Sequence, residues 1–141
     1  MINLIIGKKG SGKTSRMVDD LNEHAVDHAQ NVVCIERGRR LDRYVKYQIR
    51  LIDISEYPVE GFDNLLSFIA GISSKDYDIT HVYIDSIFKV AQDDSYSNLE
   101  DFCENLNKFL EQHKFIVNIL LSTEEDYLSD RIKELVNVVE Y

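Results

Sequence analysis

The chain has one proline and no tryptophan in 141 residues, and no serine- or glycine-rich stretch interrupts it. Nothing in the composition marks a linker. The length, with 44% hydrophobic residues, suits one domain over residues 1–141 with a single core. No internal repeat or low-complexity tract is visible. The two cysteines, Cys34 and Cys103, lack metal-site spacing and are too few for a disulfide framework. Each lies in an apolar pattern, where a free thiol behaves as a small buried hydrophobe. Long hydrophobic runs are missing too. Met1–Ile6 is apolar but shorter than a secretory leader, and no run approaches the length of a membrane span. A soluble cytoplasmic protein is expected. Positive charge is the scarce sign, with 16 basic against 25 acidic residues and a net charge of -9. That balance repels phosphate backbones and anionic lipid, which argues against nucleic-acid and membrane binding.

What the chain does have is an alternation of strand and helix patterns. Strands are expected at Ile2–Ile6, Asn31–Glu36, Leu51–Ile54, His81–Asp85 and Phe115–Leu121, with the last the most apolar and therefore central. The tail, Leu135–Tyr141, reads as an edge strand in preference to a helical turn. Helices are expected from Lys13 to about Ala29 and through Phe62, Leu65, Leu66, Ile69 and Ala70 to Gly71. A third should run from a Ser97/Glu100 capping box to His113. Further helix is expected in the middle of Arg37–Arg50, and in a short acidic turn capped by Thr123. Asp93–Tyr96 reads as a polar loop. Strands this apolar need cover on both faces, so the fold class is α/β, a three-layer sandwich on a mainly parallel sheet.

Between the first strand and first helix stands Gly7-Lys8-Lys9-Gly10-Ser11-Gly12-Lys13-Thr14, followed by Ser15. It fits G-x-x-x-x-G-K-[ST] throughout, a pattern that arises by chance in roughly one chain of this length in two hundred. The glycines let successive N–H groups converge into an anion nest at a helix N-terminus. In such a loop the lysine, Lys13, reaches the terminal phosphates and the Thr14 hydroxyl ligates Mg²⁺, so Mg-ATP is the expected ligand. The site needs a second acid to hold the metal, and Val82-Tyr83-Ile84-Asp85 delivers one at a strand's carboxyl edge, where parallel sheets bind ligands. Alone, a strand-ending aspartate is more often a turn former or cap.

A third acid, Glu36, ends the strand after the first helix. With Asp85-Ser86 after the fourth strand and Ser122-Thr123 after the last core strand, the chain resembles P-loop ATPases of the RecA-like group across roughly residues 1–125. That resemblance implies a water-orienting, catalytic role for Glu36 beside Lys13, and a γ-phosphate-sensing position at Ser122-Thr123. It also implies a strand order in which Phe115–Leu121 separates Ile2–Ile6 from the Asp85 strand, leaving Glu36 and Asp85 side by side. The alternative for Glu36 is a strand-end carboxylate paired with Arg37 or Arg39. The short acidic Asp93–Tyr96 loop and the negative charge argue against recombination. The chain also looks like small single-domain P-loop proteins of Gram-positive bacteria, some labelled twitching-motility ATPases, but it lacks that larger family's acidic and histidine boxes.

Arg37, Arg39, Arg40, Arg43, Lys46 and Arg50 gather six positive charges in fourteen residues. Such a run is commonly a solvated face. The functional alternatives are an arginine finger in trans or docking of an acidic protein partner or a second copy of the chain. His24 and His28 share a helix face at a spacing that can grip zinc, but no third ligand lies near them, so exposed helix polarity is the better reading. Tyr44, Tyr47 and Tyr127 can stack on a base or simply pack. The leading functional expectation is slow or partner-stimulated Mg-dependent ATP hydrolysis. The runner-up is a small-molecule or nucleotide kinase with an arginine-bearing lid, and the third is a non-catalytic nucleotide-state sensor. Guanine is disfavoured because Ser122-Thr123-Glu124-Glu125 stands where [NT]-K-x-D is needed.

Overall fold

The structure is a computed structural model that describes residues 1–75 and 78–141. Among these residues, strands β1 (Ile2–Gly7), β2 (Val32–Glu36), β3 (Arg50–Asp53), β4 (His81–Ile84), β5 (Ile116–Ser122) and β6 (Asn137–Glu140) form one sheet in the order β3-β2-β4-β5-β1-β6. Every strand pairing is parallel. The helices are α1 (Lys13–Ala25), α2 (Gly61–Lys75), α3 (Ile87–Ala91), α4 (Tyr96–Gln112) and α5 (Asp130–Leu135). None is long and apolar enough to cross a membrane.

The two-residue period of a strand sorts the core into two layers. Ile2, Leu4, Ile6, Val33, Ile35, Val82 and Ile84 pack with α2, α3, α4 and α5. Ile5, Cys34, Tyr83 and Leu120 meet Met17 and Leu21 of α1, together with Leu41 and Ile49 from the 37–49 connection. Among the described residues both faces are covered, by the five α-helices and by one irregular segment. β5 lies between β1 and β4, as the strand arrangement inferred above requires. A row of amides crosses this part of the sheet: Asn137 Nδ2 donates to Asn3 Oδ1 at 3.1 Å, and Asn3 Nδ2 donates to Asn118 Oδ1 at 2.8 Å.

Several expected boundaries move, each for a local reason. α1 stops at Ala25, short of Ala29, because the Asp27 carboxylate takes the Ala29 amide at 2.9 Å and closes a competing turn. α2 runs past Gly71 to Lys75, since burial of Ile72 and Ser73 outweighs a glycine penalty of about 1 kcal/mol. The Ser97/Glu100 box does not form. Asp93 accepts the Ser95 amide and Ser95 caps α4 by accepting from the Asn98 amide, while Glu100 ion-pairs with Arg131. Thr123 caps no helix: it bridges to Gly7, its hydroxyl shares a hydrogen bond with Tyr96, and a 3₁₀ turn starts at Glu125.

The 37–49 segment is not helical. Gly38 sits at φ 104° and its amide goes to Asp53. Leu41 and Ile49 are buried as two separate anchors. Between them the Asn22 side chain donates to the Tyr44 carbonyl and accepts from the Lys46 amide.

Candidate functional site

β1 ends at Gly7 and α1 begins at Lys13, so the residues between are free to curl. Gly10 and Gly12 take φ 84° and 90°, left-handed values that a side chain would strain. Gly12 caps α1 without any side-chain bond, which leaves first-turn N–H groups open to an anion. Gly7 is confined by space: a Cβ there would meet Ser11 Oγ at 2.6 Å and the Tyr141 carbonyl at 2.8 Å. Lys13 is buried and donates from Nζ to its own loop at Lys8 O, 3.0 Å away. Burial lowers its pKa, with Asp85 pulling the other way.

Asp85 leaves β4 at the same edge, its amide bonded to Ile35 O at 3.0 Å. Its Oδ1 accepts from the Thr14 hydroxyl at 3.2 Å. Its Oδ2 is buried without a hydrogen bond, faced by Arg40 Nη2 at 3.8 Å. Ser86 follows at φ 58°, a strained conformation for a non-glycine residue and one that clusters at functional sites. Lys9, Gly10, Gly12, Lys13, Thr14, Ser15 and Asp85 line one cavity of about 520 Å³, together with Arg40, Ser86, Phe88, Lys89, Leu120, Leu121 and Ser122. Gly7, Lys8 and Ser11 border a second cavity of about 410 Å³ on the β6 side, with Thr123, Glu124, Glu125, Asp126, Glu140 and Tyr141.

A buried carboxylate oxygen with no donor demands an explanation. With the Thr14 hydroxyl beside it, Asp85 offers the hard oxygens that Mg²⁺ takes when phosphates and water complete its shell. The residues present therefore fit a divalent cation next to a phosphate-sized nest.

Glu36 departs from the expectation that it opens onto this cavity. It does not line it and instead borders a pocket of about 80 Å³ with Asp53 and Glu56. Its Oε2 accepts from the Leu41 amide at 3.3 Å, so the chain itself folds over the carboxylate. Burial raises its pKa, opposed by the Leu41 and Arg40 amides and reinforced by Asp85. The alternative pairing is absent too. Arg37 donates to the Lys89 and Val90 carbonyls at the end of α3, and Arg39 binds Glu56 and Asp42.

Phe88 and Lys89, which also line the cavity, were not anticipated, because α3 is only five residues long. Its signal was Ile87, Val90 and Ala91 at helical spacing. Ser122 lines the main cavity, whereas Thr123 lines the other. His24 is no metal partner of His28: its ring stacks on His81 with centroids 4.2 Å apart. Among the described residues no group of three or more histidine, cysteine or acidic side chains gathers as a metal site. Tyr44, Tyr47 and Tyr127 are exposed and lie outside the main cavity. Both cysteines are free and buried, and burial raises both thiol pKa values.

No model of a known protein family and no curated protein sequence matches the chain.

Proposed function

We propose that the chain binds Mg-ATP at the Gly7–Thr14 loop and hydrolyses it slowly, or under stimulation by a protein partner. The observation that carries the reading is the Thr14–Asp85 contact beside Lys13, with a buried Asp85 oxygen left free. Lys13, the loop amides and the α1 N-terminus hold the phosphates, and Thr14 and Asp85 hold the metal. Held by Thr14 and Asp85, a Mg²⁺ would supply charge neutralisation at the γ-phosphate. Ser122 stands at the end of β5 on the same cavity, where the RecA-like layout places a γ-phosphate sensor.

Glu36 is the group that would orient the attacking water. It stands beside Asp85 in the sheet but behind Arg40, so binding groups are assembled while the water-positioning acid is screened. That arrangement supports slow basal turnover that a movement of the 37–49 segment accelerates. Insertion of β5 between β1 and β4 disfavours the kinase reading, which fits a sheet with those two strands adjacent.

The test is phosphate release from ATP and GTP by purified protein, with and without cell extract, beside calorimetric binding to the parent and Lys13→Ala. Loss of one charge-assisted phosphate contact lowers ATP affinity about 10- to 100-fold in a still-folded variant. Unchanged affinity in that variant overturns the site. Phosphate release only with an added acceptor supports the kinase. Binding without any release supports the nucleotide-state sensor.

A further inference from the structure

One residue, Arg40, serves two buried carboxylates. Ile35 of β2 is in register with Ile84 of β4, so Glu36 and Asp85 leave the sheet as neighbours. They are 1% and 2% exposed, and each keeps one oxygen without a hydrogen bond. The Leu41 amide holds Glu36 Oε2, while the Arg40 guanidinium, whose charge also acts on Glu36, faces Asp85 Oδ2. At 3.8 Å this is charge compensation without a hydrogen bond, and the Arg40 side chain is 63% exposed. Pairs of that kind are weak. The segment beyond is irregular and is anchored at Leu41 and Ile49, by Val45 against the same core, and through Asn22.

We propose that the Arg40 guanidinium is a displaceable internal counter-ion: a divalent cation between Thr14 and Asp85 replaces it and releases the rim of the 37–49 segment. Two cations at one carboxylate repel at this range, and Arg40 has solvent to move into. Loss of its side-chain tether also loosens the adjoining Leu41 amide over Glu36, so metal uptake unscreens the third acid. The inference rests on the Mg-nucleotide reading and adds that the site reports its own occupancy through residues 37–49.

The test uses the full chain as parent, Arg40→Gln and Asp85→Asn, with Mn²⁺ plus ATP as probe. Removing the competitor tightens Mn²⁺ about two- to fivefold in Arg40→Gln, measured by calorimetry. Hydrogen–deuterium exchange across 37–49 rises in the parent when Mn²⁺ and ATP are added. It is already raised in Arg40→Gln and in Asp85→Asn with no ligand, a readout independent of nucleotide. A parent that takes up no Mn²⁺-ATP overturns the reading beneath the inference. Uptake with unchanged or weaker Mn²⁺ affinity in Arg40→Gln, or exchange unaltered in Asp85→Asn, overturns the displacement alone.

Discussion

Two glycine-containing basic connections leave the carboxyl edge of one sheet, from β1 and from β2 with β5 and β4 between them, and they are anchored differently. The loop over residues 7–14 is held largely from within, by the Ser11 amide on Lys8 O, by Lys13 on the same carbonyl and by left-handed glycines. The 37–49 segment has turn bonds of its own, from the Tyr44 and Val45 amides to Leu41 O and from the Ile49 amide to Lys46 O, and is tied further from outside by Asn22 of α1, Glu36, Asp53 and Asp85. A loop that carries its own instructions keeps its shape whatever its neighbours do. A loop tied down by distant groups changes when any of those groups changes its partner.

The sharpest way to break the contrast is to remove an outside anchor. Leu41→Ala lowers stability by about 2–3 kcal/mol, since the side chain is buried but sits under a segment able to collapse partly. Denaturant melts check this, and hydrogen exchange should localise the loosening to 37–49 and leave 7–14 unaltered. Next come the glycines, needed for different reasons. Gly7→Ala costs about 1–3 kcal/mol through crowding against Ser11 and the Tyr141 carbonyl. Gly38→Ala costs roughly 1–2 kcal/mol through backbone strain alone, because nothing lies within 4 Å of the added methyl group. Equal loss of ATP affinity in both variants would erase the distinction. Asn22→Ala forfeits two partly exposed bonds to the segment and costs about 1 kcal/mol in the same melts, with no change at the phosphate loop.

The smallest effect is also the most specific. The raised Glu36 pKa means the folded chain binds that proton more readily than the unfolded one. Its stabilising contribution is full below the ordinary value near 4.5 and is lost as pH rises through the elevated value. Glu36→Gln carries no such dependence and keeps the acceptor for Leu41. It should therefore be more stable than the parent at neutral pH, with the gap closing below pH 4.5. Paired urea titrations across that range decide it, and a gap that does not vary with pH removes the buried charge from the account.

The same contrast explains what could be read from the sequence. Gly7 to Thr14 is a contiguous code, and the alternation of Ile2, Leu4 and Ile6 or Val33 and Ile35 gives strand faces without outside help. Asp85 was legible because it ends such a strand. The middle of Arg37–Arg50 was expected to be helical but is not, because its fold depends in part on Asn22, fifteen or more residues upstream and on another element. Glu36 was found as a residue but set in the wrong surroundings, since the sequence does not reveal that the Arg40 and Leu41 main chain folds over it. α3 was missed for its length, and the true α4 cap depends on Asp93 two residues before Ser95.

The Asn137–Asn3–Asn118 row has a consequence for assembly of the chain. Sheets of parallel strands are slow to find because every pairing is long-range, and a run such as Ile2 to Ile6 offers few chemical landmarks against slippage by two residues. The amides work as a vernier. A slip of β1 against β5 or β6 sets a half-buried Asn3 opposite aliphatic side chains, at about 1–3 kcal/mol for an orphaned polar group. Only the aligned sheet satisfies all three, and in that alignment Gly7 stands level with Ser122 at the rim where the loop turns.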